Sequence, residues 1–194
     1  MYTQNWKRTR RPARPTKPQW TRNVDALLNL AACRLKKDDY ERALELLENA
    51  VRIDSTSDRA YYHKGICHFQ REEKEEAQAA FRRATELNPK NKDAFYNLGI
   101  VYLQGGKASE AVESLQKTIE LAPDDEDAHF QLGSAYYKLE EYQKAADTFT
   151  RVIELNPNNA DAYENRGYCR SKLGLKKEAY DDQVMAEKLR QGGG

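Results

Sequence analysis

His63, Cys67 and His68 set two imidazoles and a thiol within six residues, the kind of grouping that binds a transition metal or activates a nucleophile. Gly105-Gly106-Lys107 ends like a phosphate-binding loop, in which backbone N–H groups and a lysine cradle an anion. Neither reading survives its spacing. The loop needs a glycine five residues before Gly106, and Val101 stands there. His63 and Cys67 belong to different columns of an internal register, one in a surface row and the other in a core column. Cys33, Cys67 and Cys169 occupy one equivalent place, where Val101 and Ala135 stand elsewhere, so the place reads as a small apolar core position holding reduced thiols. Few histidines or acids converge in any way that spacing reveals. The chain reads as non-catalytic, with no metal ligands and no cofactor.

The register comes from a period of 34 residues. Ala43, Ala77, Ala111, Ala145 and Ala179 keep that step, as do Ala26, Ala60, Ala94, Ala128 and Ala162, and the set Ile53, Leu87, Leu121, Leu155 and Leu189. Five matches at one fixed period predict five copies of one unit, stacked so that each buries its neighbour's face. Each unit carries two helical patterns. Phe95, Leu98, Gly99 and Tyr102 fall at i, i+3, i+4 and i+7. After Gly105-Gly106, the run Ala111, Leu115, Thr118 begins a second face, and Pro123 ends it as Pro89 and Pro157 end theirs. Asn23, Ser57, Asn91, Asp125 and Asn159 precede the first helices as N-caps. Gly65, Gly99, Gly133 and Gly167 lie inside first helices, at a cost of about 0.5–1 kcal/mol each relative to alanine. Close approach of the paired helix at Ala77, Ala111, Ala145 and Ala179 is the expected compensation.

Phe95-Tyr96-Asn97-Leu98-Gly99-x-x-Tyr102, followed by Ala111, Leu115 and Pro123, resembles the tetratricopeptide repeat, whose period is the one found here. The resemblance covers units 24–57, 58–91, 92–125, 126–159 and 160–193, leaving 1–23 as a basic tail, disordered or docking. It implies an all-α fold, an α-solenoid (a right-handed superhelix) of five antiparallel helix pairs, with the first helices lining a concave face. Departures gather at the ends, where Arg34 and Arg170 replace aromatics, Ser55 replaces proline and Gln183 replaces phenylalanine. Polar substitutions there suit capping units.

On that geometry the groove residues fall at fixed steps. Asn29, His63, Asn97, Gln131 and Asn165 form one row, and in related proteins such a row holds the backbone of an extended peptide. An amide both donates and accepts, so it can pair with any peptide group. Beside it run Tyr62, Ile66, Phe69, Tyr96, Ile100, Leu103, Phe130, Tyr137 and Tyr168. Of these, Tyr62, Tyr96, Ile100, Phe130 and Tyr137 are candidate side-chain contacts, some on the side opposite Leu98 and Tyr102. Family members that grip a chaperone's C-terminal carboxylate use lysine, asparagine and arginine at places held here by Tyr62, Ile66, Asn97, Asp127 and Gln131. Only Asn97 conforms. Asp93, Asp127 and Asp161 also make an acidic rim, so a basic or neutral extended segment is expected rather than that carboxylate.

The net charge of +1 conceals an asymmetry, because residues 1–23 hold seven Lys and Arg and no acid, which leaves about −6 for the rest. The tail reads Arg11-Pro12-Ala13-Arg14-Pro15-Thr16-Lys17-Pro18, with prolines at polyproline II spacing. Trp6, Arg8, Arg11, Arg14 and Trp20 are its candidate docking residues, toward RNA, an acidic protein surface or this chain's own rim. No apolar run suits a membrane span, and nothing N-terminal reads as a secretory signal. The expected setting is cytoplasmic, with nuclear, organellar or cytoskeletal assemblies as alternatives. Three functions stay open: an interaction scaffold or adaptor whose groove takes a partner segment while the tail anchors to a second surface; a small subunit built permanently into a large assembly; and tail-mediated binding to RNA or an acidic surface.

Overall fold

The computed structural model describes residues 19–192. Ten helices follow in order: α1 (Gln19–Leu35), α2 (Tyr40–Ile53), α3 (Asp58–Gln70), α4 (Lys74–Leu87), α5 (Lys92–Gln104), α6 (Ala108–Leu121), α7 (Glu126–Lys138), α8 (Tyr142–Leu155), α9 (Ala160–Lys172) and α10 (Lys176–Gly192). Among the described residues there is no strand. The starts of α3, α5, α7 and α9 are spaced by the sequence period, so each unit is one helix pair.

Local chemistry sets the boundaries. Ser57, Asn91, Asp125 and Asn159 accept hydrogen bonds from the backbone N–H groups of Ala60, Ala94, Ala128 and Ala162 at 3.3, 3.0, 3.1 and 2.9 Å. Each cap satisfies a first-turn donor that the helix leaves unpaired. Asn23 is the exception. Helix α1 starts at Gln19, so Asn23 lies inside it and is not a cap. The turns within pairs share a second device. Asp38, Glu72, Gly106, Glu140 and Gly174 all take left-handed backbone, with φ between 56° and 79°. The residue after each donates back to a carbonyl near the end of the first helix, as Lys107 does to Tyr102 at 2.8 Å and Glu73 does to His68 at 2.9 Å. Only two of the five are glycine, so composition alone conceals this column.

Within a pair, the first-helix glycine makes room for a large side chain. A Cβ added at Gly65 would sit 2.5 Å from the Phe81 ring, one at Gly99 would sit 2.7 Å from Leu115, and one at Gly133 would sit 2.9 Å from Phe149. The compensation expected from the alanine column therefore lies one helical turn further along, in fully buried Phe81, Leu115 and Phe149. Gly167 alone meets the alanine column, at the Ala179 carbonyl oxygen.

Between units, the second helix of one pair packs on the first helix of the next. The first helices also touch one another (α1 on α3, α5 on α7, α7 on α9), whereas second helices make no comparable contact. First helices thus form the inner side of the stack. The seams bury Ala60, Ala94, Ala128, Ala162, Cys67 and Cys169 completely. Cys33 departs from its column and is exposed, together with Ala26 and Leu30 on the same face of α1, because no helix among the described residues packs on that face.

The last unit replaces apolar core with ions. Asp182 is almost fully buried, accepts from Arg166 Nε and Nη2 at 3.0 and 2.7 Å, and accepts from Arg170 Nη1 at 2.8 Å. In the fourth unit the same three places are Leu132, Tyr136 and Thr148. Arg170 is therefore not a solvent-facing cap residue; it turns inward to complete a charge network. Such a network adds little net stability, because desolvation of the ions offsets their attraction.

Candidate peptide-binding face

The amide row stands on the inner helices; His63, Asn97, Gln131 and Asn165 each lie about one turn past their helix starts, and Asn29 lies nearer the middle of the longer α1. Asn29 is exposed, while His63, Asn97, Gln131 and Asn165 are half-buried. Two of the amides are partly committed. Asn97 Nδ2 donates to the Asp93 carbonyl oxygen at 2.7 Å, and Asn165 Nδ2 donates to that of Asp161 at 2.8 Å. These bonds fix the side chains along their own helices. Gln131 has no hydrogen-bond partner among the described residues. His63 lies against Tyr62, ring centroids 5.5 Å apart, and burial lowers its pKa, with the Arg59 charge acting in the same direction. His63 is thus held neutral, as a polar but uncharged member of the row.

The aromatic row differs from the sequence expectation of rings that packing does not require. Tyr62 leans on Phe81 at 6.0 Å and Phe130 on Phe149 at 5.5 Å, the second pair edge-to-face. Tyr137 meets Tyr142 edge-to-face at 5.5 Å. Tyr62, Ile66, Phe69, Tyr96 and Leu103 border one core cluster, and Phe130 and Tyr137 border another. Each is half-buried, as is Ile100, while Tyr168 is 44 % exposed. Part of each ring serves the core and part faces outward. The Tyr62 hydroxyl, held near Asn97, has its pKa raised by burial and then by the Asp93 charge. Tyr96 is raised by burial and then by Asp127 and Asp125. Both phenols remain neutral donors at physiological pH, suited to a carbonyl acceptor.

The acidic rim is partly neutralised within the protein. Lys92 reaches Asp93 at 3.4 Å and Asp125 at 3.1 Å. Arg190 Nη2, from the far end of α10, bridges Asp161 at 2.7 Å and Glu164 at 2.6 Å. Asp127 is exposed and has no partner among the described residues. The uncompensated negative charge is therefore centred on the third and fourth units, where Lys92, Asp93, Tyr96, Asp125 and Asp127 line one shallow depression. The Arg190 bridges have no counterpart in the repeat pattern, because Arg190 stands on the extension of the last helix.

A wider open cleft lies elsewhere. It holds about 720 Å³ between α6 and α8, floored by Leu132 and Tyr136, and none of the amide row lines it. Of the residues expected in the tail, Trp6, Arg8, Arg11 and Arg14 lie outside the described residues, and the Trp20 side chain is likewise not described. Among the described residues no group of histidine, cysteine and acidic side chains could hold a metal ion. Cys67 and Cys169 are buried, and desolvation pushes their thiols up to about 11, which leaves them protonated and unreactive. Among the same residues no helix is long and apolar enough to cross a membrane.

Comparison with known proteins agrees with this architecture. Tetratricopeptide repeat models match residues 62–126, 126–159 and 148–181, and a model for subunit 3 of the anaphase-promoting complex (cyclosome) matches residues 18–84. No curated protein sequence matches significantly. Among solved structures, YrrB, described as a TPR protein with an unusual peptide-binding site, is 26 % identical with a TM-score of 0.82, over 90 % of this chain and 93 % of that one. MamA superimposes with a TM-score of 0.83 at 20 % identity, over 88 % of this chain and 93 % of its own. MamA from Desulfovibrio magneticus RS-1 does so at 0.81 and 22 %, over 88 % and 96 %. With its helix pairs in register at the 34-residue step and family models spanning 62–181, the chain belongs to the tetratricopeptide repeat family.

Proposed function

We propose that this protein is a non-catalytic interaction scaffold whose inner face takes an extended, basic or neutral segment of a protein partner. The observation that carries the reading is the amide row, Asn97, Gln131 and Asn165, flanked by half-exposed Tyr96 and Phe130 and by unpaired Asp127. Amides engage the partner's backbone, rings take its side chains, and Asp127 favours a lysine or arginine near the third and fourth units. The likeness to YrrB, whose structure is described as having a peptide-binding site, supports the reading. A chaperone's terminal carboxylate is a poor ligand, because Asp127 stands where that ligand needs a cation. The basic segment 1–23 supplies a second anchor, to an acidic surface or RNA.

The test replaces two half-buried amides that lie outside the buried core. Asn97→Ala with Gln131→Ala removes two ligand contacts worth about 1 kcal/mol each, so capture of partners from native extract should fall roughly tenfold or more. The melting temperature should not move, since neither residue belongs to the buried core. Undiminished capture by a folded double variant would remove the inner face from the argument.

A second reading, a subunit fixed within a large assembly, is favoured by the match of residues 18–84 to a multiprotein-complex subunit. Purification of the isolated chain separates the two. A chain that stays in solution alone and binds its partner reversibly is a scaffold; one that aggregates unless co-expressed is a permanent subunit.

A further inference from the structure

We propose that the two ends of the stack are the two halves of one head-to-tail interface, through which copies of this chain add to one another. The chemistry of that interface is already used inside the molecule. At the internal seams, two places on the second helices α4, α6 and α8 meet the next unit, on its first helix or, at Lys107, on the turn that follows it. Gln78 accepts from Lys107 at 2.7 Å, Arg82 donates to the Tyr102 hydroxyl at 3.0 Å, Gln116 donates to the Tyr136 hydroxyl at 2.8 Å, and Thr150 Oγ1 accepts from Arg166 at 3.2 Å. Around these contacts the seams bury apolar surface: Leu98 and Leu132 are 4 % and 7 % exposed, and the alanines beside them are fully covered.

Both ends carry these same places, and both expose apolar side chains there. On the outer face of α1, Ala26, Leu30 and Cys33 hold the positions of Ala128, Leu132 and Ala135, yet all three are exposed, Leu30 at 46 %. On the outer face of α10, Tyr180 and Val184 hold the positions of Gln78 and Arg82 and are 65 % and 46 % exposed. Polar capping residues were the expectation for terminal units. The candidates behave otherwise, since Arg170 folds inward onto Asp182 and Arg34 pairs with Asp39 along its own unit.

The internal register selects the occupant. Carried one step forward, the Thr150–Arg166 contact becomes Val184 against Leu30 of a second copy, aliphatic against aliphatic. The Gln78–Lys107 contact becomes Tyr180 against Asp39, a phenol donor against a carboxylate. A second copy thus continues a seam that the protein builds between every pair of units. The joint is heterologous, so each added copy leaves one free end of each kind and the assembly is open-ended.

Sedimentation velocity on the full chain, from about 1 μM to about 500 μM, tests this. The average mass should rise with concentration past the dimer. Leu30→Asp and Val184→Asp should each give monomers at every concentration, because each preparation then lacks one kind of end. Mixed together, they should give a one-to-one dimer and nothing larger, since one intact end of each kind remains. Both sites are exposed, so circular dichroism should show each variant folded with little change in melting temperature. The proposal is overturned by a wild-type chain that stays monomeric throughout, by a mixture of folded variants that does not dimerise, or by assembly that Leu30→Asp abolishes and Val184→Asp leaves intact. The last result would mean pairing of like ends.

Discussion

Gly65→Ala tests whether the glycine column exists to admit the large side chain opposite it. In an exposed helix this change stabilises by about 0.5–1 kcal/mol, because glycine carries the greater unfolded-state freedom. Here the new Cβ would stand 2.5 Å from two carbons of the Phe81 ring and 2.8 Å from a third, against an ordinary contact of 3.4–4 Å. The ring would have to retreat by about 1 Å, and Phe81 is fully buried in an interior that close packing leaves little room to shift. Overpacking of this kind costs about 1–3 kcal/mol, which outweighs the helical gain and leaves a net loss of about 1–2 kcal/mol. For an array of this size that lowers the melting temperature by roughly 2–8 °C. The first unit shows the remedy. Ala31 stands in the glycine place there, opposite Leu47, and both are fully buried. Gly65→Ala combined with Phe81→Leu should therefore be more stable than the sum of the single changes by about 1–2 kcal/mol. Urea unfolding followed by far-UV circular dichroism, on the four members of the cycle, measures that coupling. Additivity within about 0.5 kcal/mol, or stabilisation by Gly65→Ala alone, would refute competition for one space.

Asp182→Ala strands Arg166 and Arg170 in the last unit and should cost about 3–5 kcal/mol, read as a lower urea midpoint. Replacing all three with their fourth-unit counterparts (Arg166→Leu, Arg170→Tyr, Asp182→Thr) should be neutral or stabilising by up to about 4 kcal/mol. His63 is held neutral in the fold, its pKa depressed below 6.5, so as pH falls through 6.5 the unfolded chain binds its proton first and stability declines. His63→Gln should flatten the urea midpoint over that window relative to wild type. In dilute native protein a thiol reagent should modify Cys33 rapidly and leave Cys67 and Cys169 untouched until denaturant is added, as counted by absorbance and confirmed by peptide mass.

Much of the fold could be read along the chain because each repeated position meets the same neighbours. The caps Ser57, Asn91, Asp125 and Asn159 act within three residues of themselves, so their role needs no tertiary information. Cys67 and Cys169 followed the column rule for the same reason: the seam before each is occupied. Cys33 broke it because among the described residues only α2 and α3 pack on α1, and Asn23 because α1 begins at Gln19, before the cap place. The compensation for the glycines was misplaced by one turn because spacing gives the face of a helix but not the depth to which a side chain reaches. The candidate face was the least legible part. Asn97 and Asn165 bond back to their own helices, Tyr62 and Phe130 lean on core rings, and Arg190 neutralises Asp161 from the far end of α10. None of these contacts follows the period.

From sequence alone came the number of units, their helix pairs, the caps and the row of amides on one helix face. These depend on interactions between residues a few positions apart, and five copies average out the noise in each. Tertiary structure alone decided where the charges are satisfied, how much of each ring is left for a ligand, and what the ends of the stack expose. Those outcomes depend on which side chains meet across helices. An ion pair such as Arg166 with Asp182, or a bare Leu30, arises from the presence or absence of a neighbouring surface that a repeat pattern by itself does not contain.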